Sequence, residues 1–195
     1  PVVVGDAPGF LVNRVLMPYL SEALRLQSEG LEITKVDAAA KAFGMPMGPF
    51  RLLDEVGIDV ASKVARTFSI QFPDRFSESP LLNKMSKDGR LGRKSGGGFY
   101  EYKAGKAQGP WKGLSRPDEE LDRQTITDRL MLRMADEGFR CLEEGEGPAQ
   151  PRRRLGGLAG DLVPGFDQRH LRGGADVAPQ RMRHGQCQLD AGDAG

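Results

Sequence analysis

The 195-residue sequence predicts an all-α protein, with about five helices in a first domain and a further helix after it. Three observations support this fold class. Apolar residues recur at three- and four-residue spacing in successive segments of the first 90 residues. Proline and glycine stand where these segments begin and end, as they do at helix termini. No series of alternating apolar and polar segments indicates a sheet.

The first helix is predicted within residues 8–30, with Pro8 near its start and Gly30 just past its end. Its apolar face is formed by Leu16, Leu20, Ala23 and Leu24. Pro18 lies inside this segment and predicts a kink, because proline removes a helical hydrogen bond.

A second helix is predicted in ITKVDAAAKAFG, capped near Thr34 and ended by Gly44. The rigid apolar connector Met45–Pro49 follows it. Three further helices are predicted in PFRLLDEVG, IDVASKVARTFSIQF and LLNKMSKDG. The chain then changes character at GRLGRKSGGGFYEYK, a glycine-rich turn that leads into alternating aromatic residues. Residues 1–104 thus form the predicted helical domain, and residues 105–117 read as a linker.

An internal repeat follows the linker. A shift of 115 residues places Asn13-Arg14 on Asp128-Arg129, Glu22 on Glu137 and Glu29-Gly30 on Glu144-Gly145. Residues 118–146 are therefore interpreted as the start of a second copy of the helical domain. Chance matches between two amphipathic helices are the alternative explanation.

Residues 147–195 differ in composition from the rest, since they contain no Lys, Glu, Ile, Ser, Thr, Asn, Tyr or Trp. Glycine and proline interrupt every short apolar run in this stretch. It is interpreted either as a disordered tail or as a segment translated out of frame. No function is assigned to His170, His184 or Cys187, which all lie within it.

Composition excludes several classes of function. The formal charge of +1, from 28 basic and 27 acidic residues, predicts no attraction to nucleic acid or to a membrane surface. No apolar run approaches the roughly 20 residues that span a bilayer. Two cysteines cannot form a disulfide scaffold or a cysteine-rich zinc site, which favours a cytoplasmic location.

Three segments, PGFLVNRVLMPYLSEA, FGMPMGPFRLLDEVGID and GRLGRKSGGGFYEY, lie in this order along the first 104 residues. Together they resemble the C-terminal domain of the 3-hydroxyacyl-CoA dehydrogenases, as found in the multifunctional α subunit of the bacterial fatty-acid oxidation complex. The resemblance implies a helical domain of the 6-phosphogluconate-dehydrogenase C-terminal-like type, followed by a truncated second copy.

The same resemblance implies a reaction, the NAD-dependent oxidation of a 3-hydroxyacyl-CoA in fatty-acid β-oxidation. NAD and the catalytic base would belong to a Rossmann domain absent from this chain, so the chain alone is expected to be inactive. The implied partners are the acyl-CoA substrate, the missing Rossmann and hydratase domains of the same polypeptide, and a thiolase subunit. The alternatives are a non-catalytic docking or dimerisation module of the same fold, and a dehydrogenase for a hydroxy acid without CoA.

Asn13 is the predicted catalytic residue, because the family places a substrate-orienting asparagine at this position of PGFLVNR. A buried or capping amide is the structural alternative. Met47, Pro49 and Phe50 are predicted to line the acyl pocket, with ordinary helix packing as the alternative. No residue of this chain is predicted to bind the cofactor or a metal.

Charged residues are given structural interpretations. Arg14 could reach a carboxylate or a CoA phosphate, but pairing within its own helix or solvation at the surface is favoured. Glu22 and Glu29 are expected on the solvated face of the helix. Arg90, Arg93 and Lys94 would suit phosphate capture, but a solvated turn is favoured. Asp54, Glu55 and Asp59 have no His or Cys beside them and predict no metal site.

Overall fold

A computed structural model describes Val4, residues 6–114 and residues 119–146. The predicted tail at residues 147–195 lies outside the described residues. Six α-helices account for most of the described chain and confirm the all-α fold class. They are α1 (Phe10–Ser28), α2 (Ile33–Phe43), α3 (Pro49–Val56), α4 (Ile58–Gln71), α5 (Pro80–Lys87) and α6 (Arg123–Glu143).

The helix boundaries follow the proline and glycine signals. Pro49 is the first residue of α3, and Gly44 ends α2 with a φ of 124°, which a residue with a side chain adopts only under strain. α1 continues through Pro18 as a single helix. The predicted cap at Thr34 is wrong, because α2 already starts at Ile33 with Glu32 as its N-cap residue.

A short β-hairpin is an element that the sequence analysis did not predict. Strands β1 (Tyr100–Lys103) and β2 (Lys106–Pro110) pair antiparallel, with Lys103 opposite Lys106. The connecting Ala104 and Gly105 both have positive φ, which suits a tight two-residue hairpin turn. Lys106–Pro110 were assigned to the linker, and they form a strand instead because this turn returns the chain along β1.

The hydrophobic core is centred on α1, which packs against α3 on one side and against α6 on the other. Tyr19, Ala23 and Leu26 of α1 are completely buried in it. A smaller apolar cluster of Met17, Ala65, Phe68 and Phe76 joins α1 to α4 and to the chain that follows α4. α1 is therefore in contact with the other parts of the domain along most of its length.

Buried ion pairs join α1 to α6. Nε of Arg14 donates to Oε1 of Glu137 over 2.9 Å, and Nη2 of the same guanidinium binds Glu144. The ring of Phe72 lies 4.5 Å from the Arg14 guanidinium carbon. Arg14 and Glu137 are only 1 % and 3 % exposed, so the expectation of a solvated or locally paired Arg14 is wrong.

The two helices are also joined by ion pairs in which α6 supplies the arginine and the α1 side supplies the glutamates. Nε of Arg129 on α6 donates to Oε1 of Glu22 on α1 over 2.7 Å, and Nη2 of Arg129 donates to Glu29 over 3.0 Å. Glu22 is 6 % exposed, which corrects its expected place on the solvated face. Each arginine therefore binds one glutamate within the other helix and one glutamate at the C-cap of that helix, and the shift of 115 residues exchanges one set of partners for the other.

Candidate substrate site

Asn13 lies in the first turns of α1, and the chain before it fixes where this helix begins. Gly9 has a φ of 81°, and a Cβ at this position would lie 2.3 Å from the ring of Phe68. Only glycine fits such a backbone conformation so close to an aromatic ring. The glycine of the PGF motif thus allows the start of α1 to sit directly on α4, with Asn13 one turn further along.

The side chain of Asn13 is exposed at the edge of a cleft of about 210 Å³, which we call the Asn13 cleft. Its walls come from α1, α3, α4, α5 and the chain before α5. Most of the lining is aliphatic, including Leu16, Leu20, Leu52, Val56 and Val60. An amide that can donate and accept hydrogen bonds therefore stands next to an apolar recess.

The N-terminus of α1 gives this edge a positive electrostatic character. Gly9, the N-cap residue, offers no side chain to the backbone N–H groups of the first turn, and this turn contains no acidic residue. The macrodipole of the 19-residue helix places partial positive charge at this end. Polar oxygen atoms of a ligand are favoured beside Asn13 for this reason.

Two of the three residues predicted to line an acyl pocket are placed in the core instead. Pro49 and Phe50 are buried at the start of α3, and the Phe50 ring packs on Phe99 with centroids 4.9 Å apart. Phe50 has no exposed surface and cannot contact a substrate. Met47 is half-buried, and none of the three lines the Asn13 cleft. Pro49 and Phe50 therefore serve in helix packing, which was the alternative to a pocket lining.

The buried side chain of Asp37 holds the chain at the end of the Met-Pro-Met-Gly-Pro motif. Its carboxylate accepts hydrogen bonds from the backbone N–H of Phe50 at 2.9 Å and from the hydroxyl of Tyr100 at 2.8 Å. A Cβ on Gly48 would lie 2.3 Å from this side chain. Burial raises the pKa of Asp37 to about 6, although its hydrogen bonds act in the opposite direction.

Asp54 plays the same part for the glycine-rich turn. Its two oxygens accept from the backbone N–H of Phe99 at 2.8 Å and of Tyr100 at 2.9 Å, and Oδ2 also accepts from the Tyr102 hydroxyl. Gly98 makes this approach possible, since a Cβ there would lie 1.9 Å from Oδ1 of Asp54. Burial raises the pKa of Asp54. Both aspartates are structural acceptors that the sequence analysis missed.

The basic residues of the glycine-rich turn are bound to carboxylates. Arg90 pairs with Glu101 at 2.8 Å, and Lys94 pairs with Asp59 at 2.5 Å. Arg93 pairs with Glu55 at 3.0 Å. Phosphate capture would require these pairs to break, so the structural interpretation of the turn is favoured.

Within Val4, 6–114 and 119–146, no group of three or more His, Cys, Asp and Glu side chains could hold a metal ion. Burial raises the pKa of the Cys141 thiol to about 11, which keeps it protonated and unreactive at neutral pH. None of the helices in these ranges is both long and apolar enough to cross a membrane.

The sequence profile of the 3-hydroxyacyl-CoA dehydrogenase C-terminal domain matches residues 9–102, which include Asn13 and the residues that line the cleft. Residues 9–102 belong to this family. The resemblance of the three short segments to this C-terminal domain is thereby confirmed.

Curated relatives extend the match beyond this domain. The fatty acid oxidation complex subunit alpha of Vibrio cholerae serotype O1 is 41 % identical over 150 residues, covering 74 % of this chain and 21 % of its own length. The subunit alpha of Shewanella sp. strain ANA-3 is 40 % identical over 155 residues, covering 74 % and 22 %. The chain therefore spans about a fifth of the length of these relatives.

Solved structures show the same helical fold. The 3-hydroxybutyryl-CoA dehydrogenase from Escherichia coli is 39 % identical with a TM-score of 0.51, and the match covers 59 % of this chain and 25 % of that one. The dehydrogenase part of multifunctional enzyme 1 from Caenorhabditis elegans is 25 % identical with a TM-score of 0.55, covering 74 % and 35 %. The C. elegans match is the longer of the two along this chain.

Proposed function

We propose that this chain supplies the substrate-side helical domain of an NAD-dependent 3-hydroxyacyl-CoA dehydrogenase of fatty-acid β-oxidation. The observation on which the proposal rests is the exposed amide of Asn13 at the edge of an apolar cleft, inside a domain of that family. A 3-hydroxyacyl thioester is complementary to such a site, because its polar oxygens at C1 and C3 are followed by an apolar hydrocarbon tail.

Asn13 would orient the substrate. Its side-chain amide can donate a hydrogen bond to a substrate oxygen and accept another through its own carbonyl oxygen. The positive end of α1 favours an oxygen atom at the same place. Holding the C3 oxygen in one position lowers the entropic barrier to its oxidation. The chain thus positions the alcohol that a base elsewhere deprotonates.

The described residues do not form an NAD site. Their two strands make an antiparallel hairpin rather than the parallel β–α–β unit with a glycine-rich turn that binds dinucleotides. Val4, 6–114 and 119–146 also contain no histidine. The proposal therefore assigns NAD and the catalytic base to a separate Rossmann domain. The hydratase domain and the thiolase subunit, like the cytoplasmic location, remain predictions.

We further propose that residues 118–146 begin a second copy of the domain. The reciprocal ion pairs of Arg14 and Arg129 support this, since a duplicated helix packed on its original would exchange equivalent contacts. Leu132 on the outer face of α6 adds to the argument. It is 67 % exposed, whereas Met17, its equivalent on α1, is buried against other helices. The partners of that face would come from the rest of the second copy.

The catalytic proposal is tested by adding a nucleotide-binding domain of this family in trans and following NADH formation with a 3-hydroxyacyl-CoA. Asn13→Asp preserves the shape of the side chain but removes the donor, so kcat/KM is expected to fall about 100-fold. Gln71→Glu is the matched control, because it makes the same amide-to-carboxylate change at an exposed position of α4 that does not line the cleft. Its activity should equal that of the wild type.

The alternative function, a non-catalytic docking or dimerisation module, predicts a different result. Reconstituted activity would then be the same with Asn13 and with aspartate at this position. A chain that restores no activity with any 3-hydroxyacyl-CoA, while remaining folded by circular dichroism, would also reject the catalytic proposal. The third possibility predicts oxidation of a free 3-hydroxy acid in preference to its CoA thioester.

A further inference from the structure

The ring of Phe68 supports the start of α1. Phe68 lies in the last turn of α4 and is 1 % exposed. A Cβ built on Gly9 would lie 2.3 Å from Cζ and 2.8 Å from Cε2 of this ring, and 3.4 Å from Cβ of Asn13. The backbone of Gly9 therefore approaches Phe68 closely and lies next to Asn13.

A second contact supports α1 on the other side of Asn13. Gly9, Asn13 and Met17 follow one another at four-residue spacing, which places them along one face of the helix. Met17 belongs to the same buried apolar cluster as Phe68. Both the position of Asn13 along the helix axis and its rotation about that axis therefore depend on where this ring lies.

Two further rings hold Phe68 in place. Its ring centroid lies 5.1 Å from that of Phe76, in an edge-to-face arrangement, and 6.0 Å from that of Phe72. The rings of Phe72 and Phe76 are themselves 6.0 Å apart. Aromatic pairs of this kind favour particular relative orientations, and a phenylalanine side chain has only two rotatable bonds. The Phe68 ring is therefore a rigid support rather than an adaptable filler of the core.

The backbone after Gly9 is strained, and the contact with Phe68 helps to hold it. Phe10 has a φ of 51°, a conformation that residues other than glycine keep only where their surroundings impose it. The side chain of Phe10 is 57 % exposed, so the restraint comes from the adjoining backbone rather than from packing of its own ring. Removing the Phe68 ring would allow the Gly9 turn to relax, and the start of α1 would move.

We propose that Phe68 is a positioning residue, whose ring fixes the Gly9 turn and thereby places the Asn13 amide at the edge of the cleft. This inference rests on the proposed function for the role of Asn13. Phe68 has almost no surface that a ligand could reach, so it acts only through α1. A displacement of about 1 Å at a substrate-orienting group can lower a rate about 100-fold. Phe68 therefore affects the oxidation without contacting the substrate.

The kinetic test uses the full 195-residue chain with the nucleotide-binding domain added in trans, and it compares Phe68→Leu with Phe99→Leu. Phe99 is equally buried but packs on Phe50 in the main core, so both substitutions should lower the urea midpoint of unfolding. Phe68→Leu should lower kcat at least tenfold and change KM less than twofold, because the other contacts of the bound substrate are kept. Phe99→Leu should leave kcat within twofold of the wild type.

A double substitution separates positioning from general destabilisation. If Phe68 acts through Asn13, Phe68→Leu should change kcat less than about twofold once Asn13→Asp has disabled the amide. Equal losses of kcat in the wild-type and Asn13→Asp backgrounds would overturn the inference, as would a Phe68→Leu variant with the kcat of the wild type. Phe68→Met, whose flexible chain can fill the vacated space, replaces Phe68→Leu if the latter does not fold.

Nuclear magnetic resonance tests the placement of Asn13 without catalysis. The backbone order parameters of Phe10 and Asn13 should be about 0.85 in the wild type, fall in Phe68→Leu and stay unchanged in Phe99→Leu. Unchanged values in Phe68→Leu would overturn the inference. If the values fall but no chain, the wild type included, restores oxidation, the support by Phe68 stands and the proposed function fails. If the wild type is active and Phe68→Leu equals it, the proposed function stands and the inference fails.

Discussion

Arg14 donates a hydrogen bond from Nε to Oε1 of Glu137, 2.9 Å away, although 123 residues separate them and both side chains are almost fully buried. The guanidinium also binds Glu144. Arg14 directly follows Asn13 in the sequence. The position of the candidate substrate-binding asparagine is thus tied to α6.

Neutralising Glu137 should destabilise the fold strongly. Glu137→Gln leaves the buried Arg14 without one of its two carboxylates, and loss of a partner from a buried ion pair costs about 3 kcal/mol. The measurement is the free energy of unfolding in urea. Asp136→Asn is the control, since its exposed pair with Arg140 contributes less than about 0.5 kcal/mol. Equal effects of the two substitutions would contradict the assigned burial.

Asp37 should make stability depend on pH in an unusual direction. Burial raises its pKa to about 6 in the folded state, so between about pH 4 and pH 6 the folded protein binds more protons than the unfolded chain. The free energy of unfolding of the wild type should therefore fall, relative to Asp37→Asn, by up to about 3 kcal/mol from pH 4 to pH 7. Carboxylates such as Glu144 contribute in the opposite direction, because hydrogen bonds from Arg75 and Arg14 lower the pKa of Glu144. The comparison with Asp37→Asn removes their contribution. A difference independent of pH would show that Asp37 titrates normally.

Gly98 should tolerate no side chain. A Cβ there would lie 1.9 Å from Oδ1 of Asp54, so Gly98→Ala has to displace the carboxylate that holds β1 and is expected to cost about 3 kcal/mol. Gly109→Ala in β2 is the matched control, because no atom lies within 4 Å of its Cβ position. It should change the unfolding free energy by less than about 0.5 kcal/mol.

A side chain at Gly138 should stabilise the protein, in contrast to one at Gly98. It lies within α6 with open space around its Cβ position, so Gly138→Ala should stabilise the protein by about 0.5–1 kcal/mol through the higher helix propensity of alanine. Gly145 also has open space, but its φ of 79° disfavours alanine, and Gly145→Ala should destabilise by about 1 kcal/mol. Thermal unfolding of the two variants should therefore shift in opposite directions.

Local sequence signals predicted the helices well. Proline at position 49 and glycine at position 44 act on their own backbone, so their effect can be inferred without knowing the fold. The hairpin escaped detection because YEYK is only four residues long and its turn, Ala104-Gly105, is not one of the strongest turn sequences.

The candidate site was predicted only in part. The resemblance placed Asn13 in the substrate site, and the structure puts this residue at the edge of a cleft, where its catalytic role remains a prediction. Pro49 and Phe50 were assigned to an acyl pocket although both are buried in the core, because composition alone does not separate a pocket wall from a core. The burial of Arg14 and Glu22 was missed because their partners lie more than 100 residues away.

The long sequence separation between α1 and α6 affects how the chain folds. Contacts between α1 and α6 close a loop of more than 100 residues, and such non-local contacts slow folding because chain entropy is lost before they form. On a ribosome adding about 5–20 residues per second, Glu144 emerges many seconds after Arg14. Until then the arginine has to remain hydrated. The helix that presents Asn13 therefore reaches its final environment late in synthesis, after the rest of the first domain has been made.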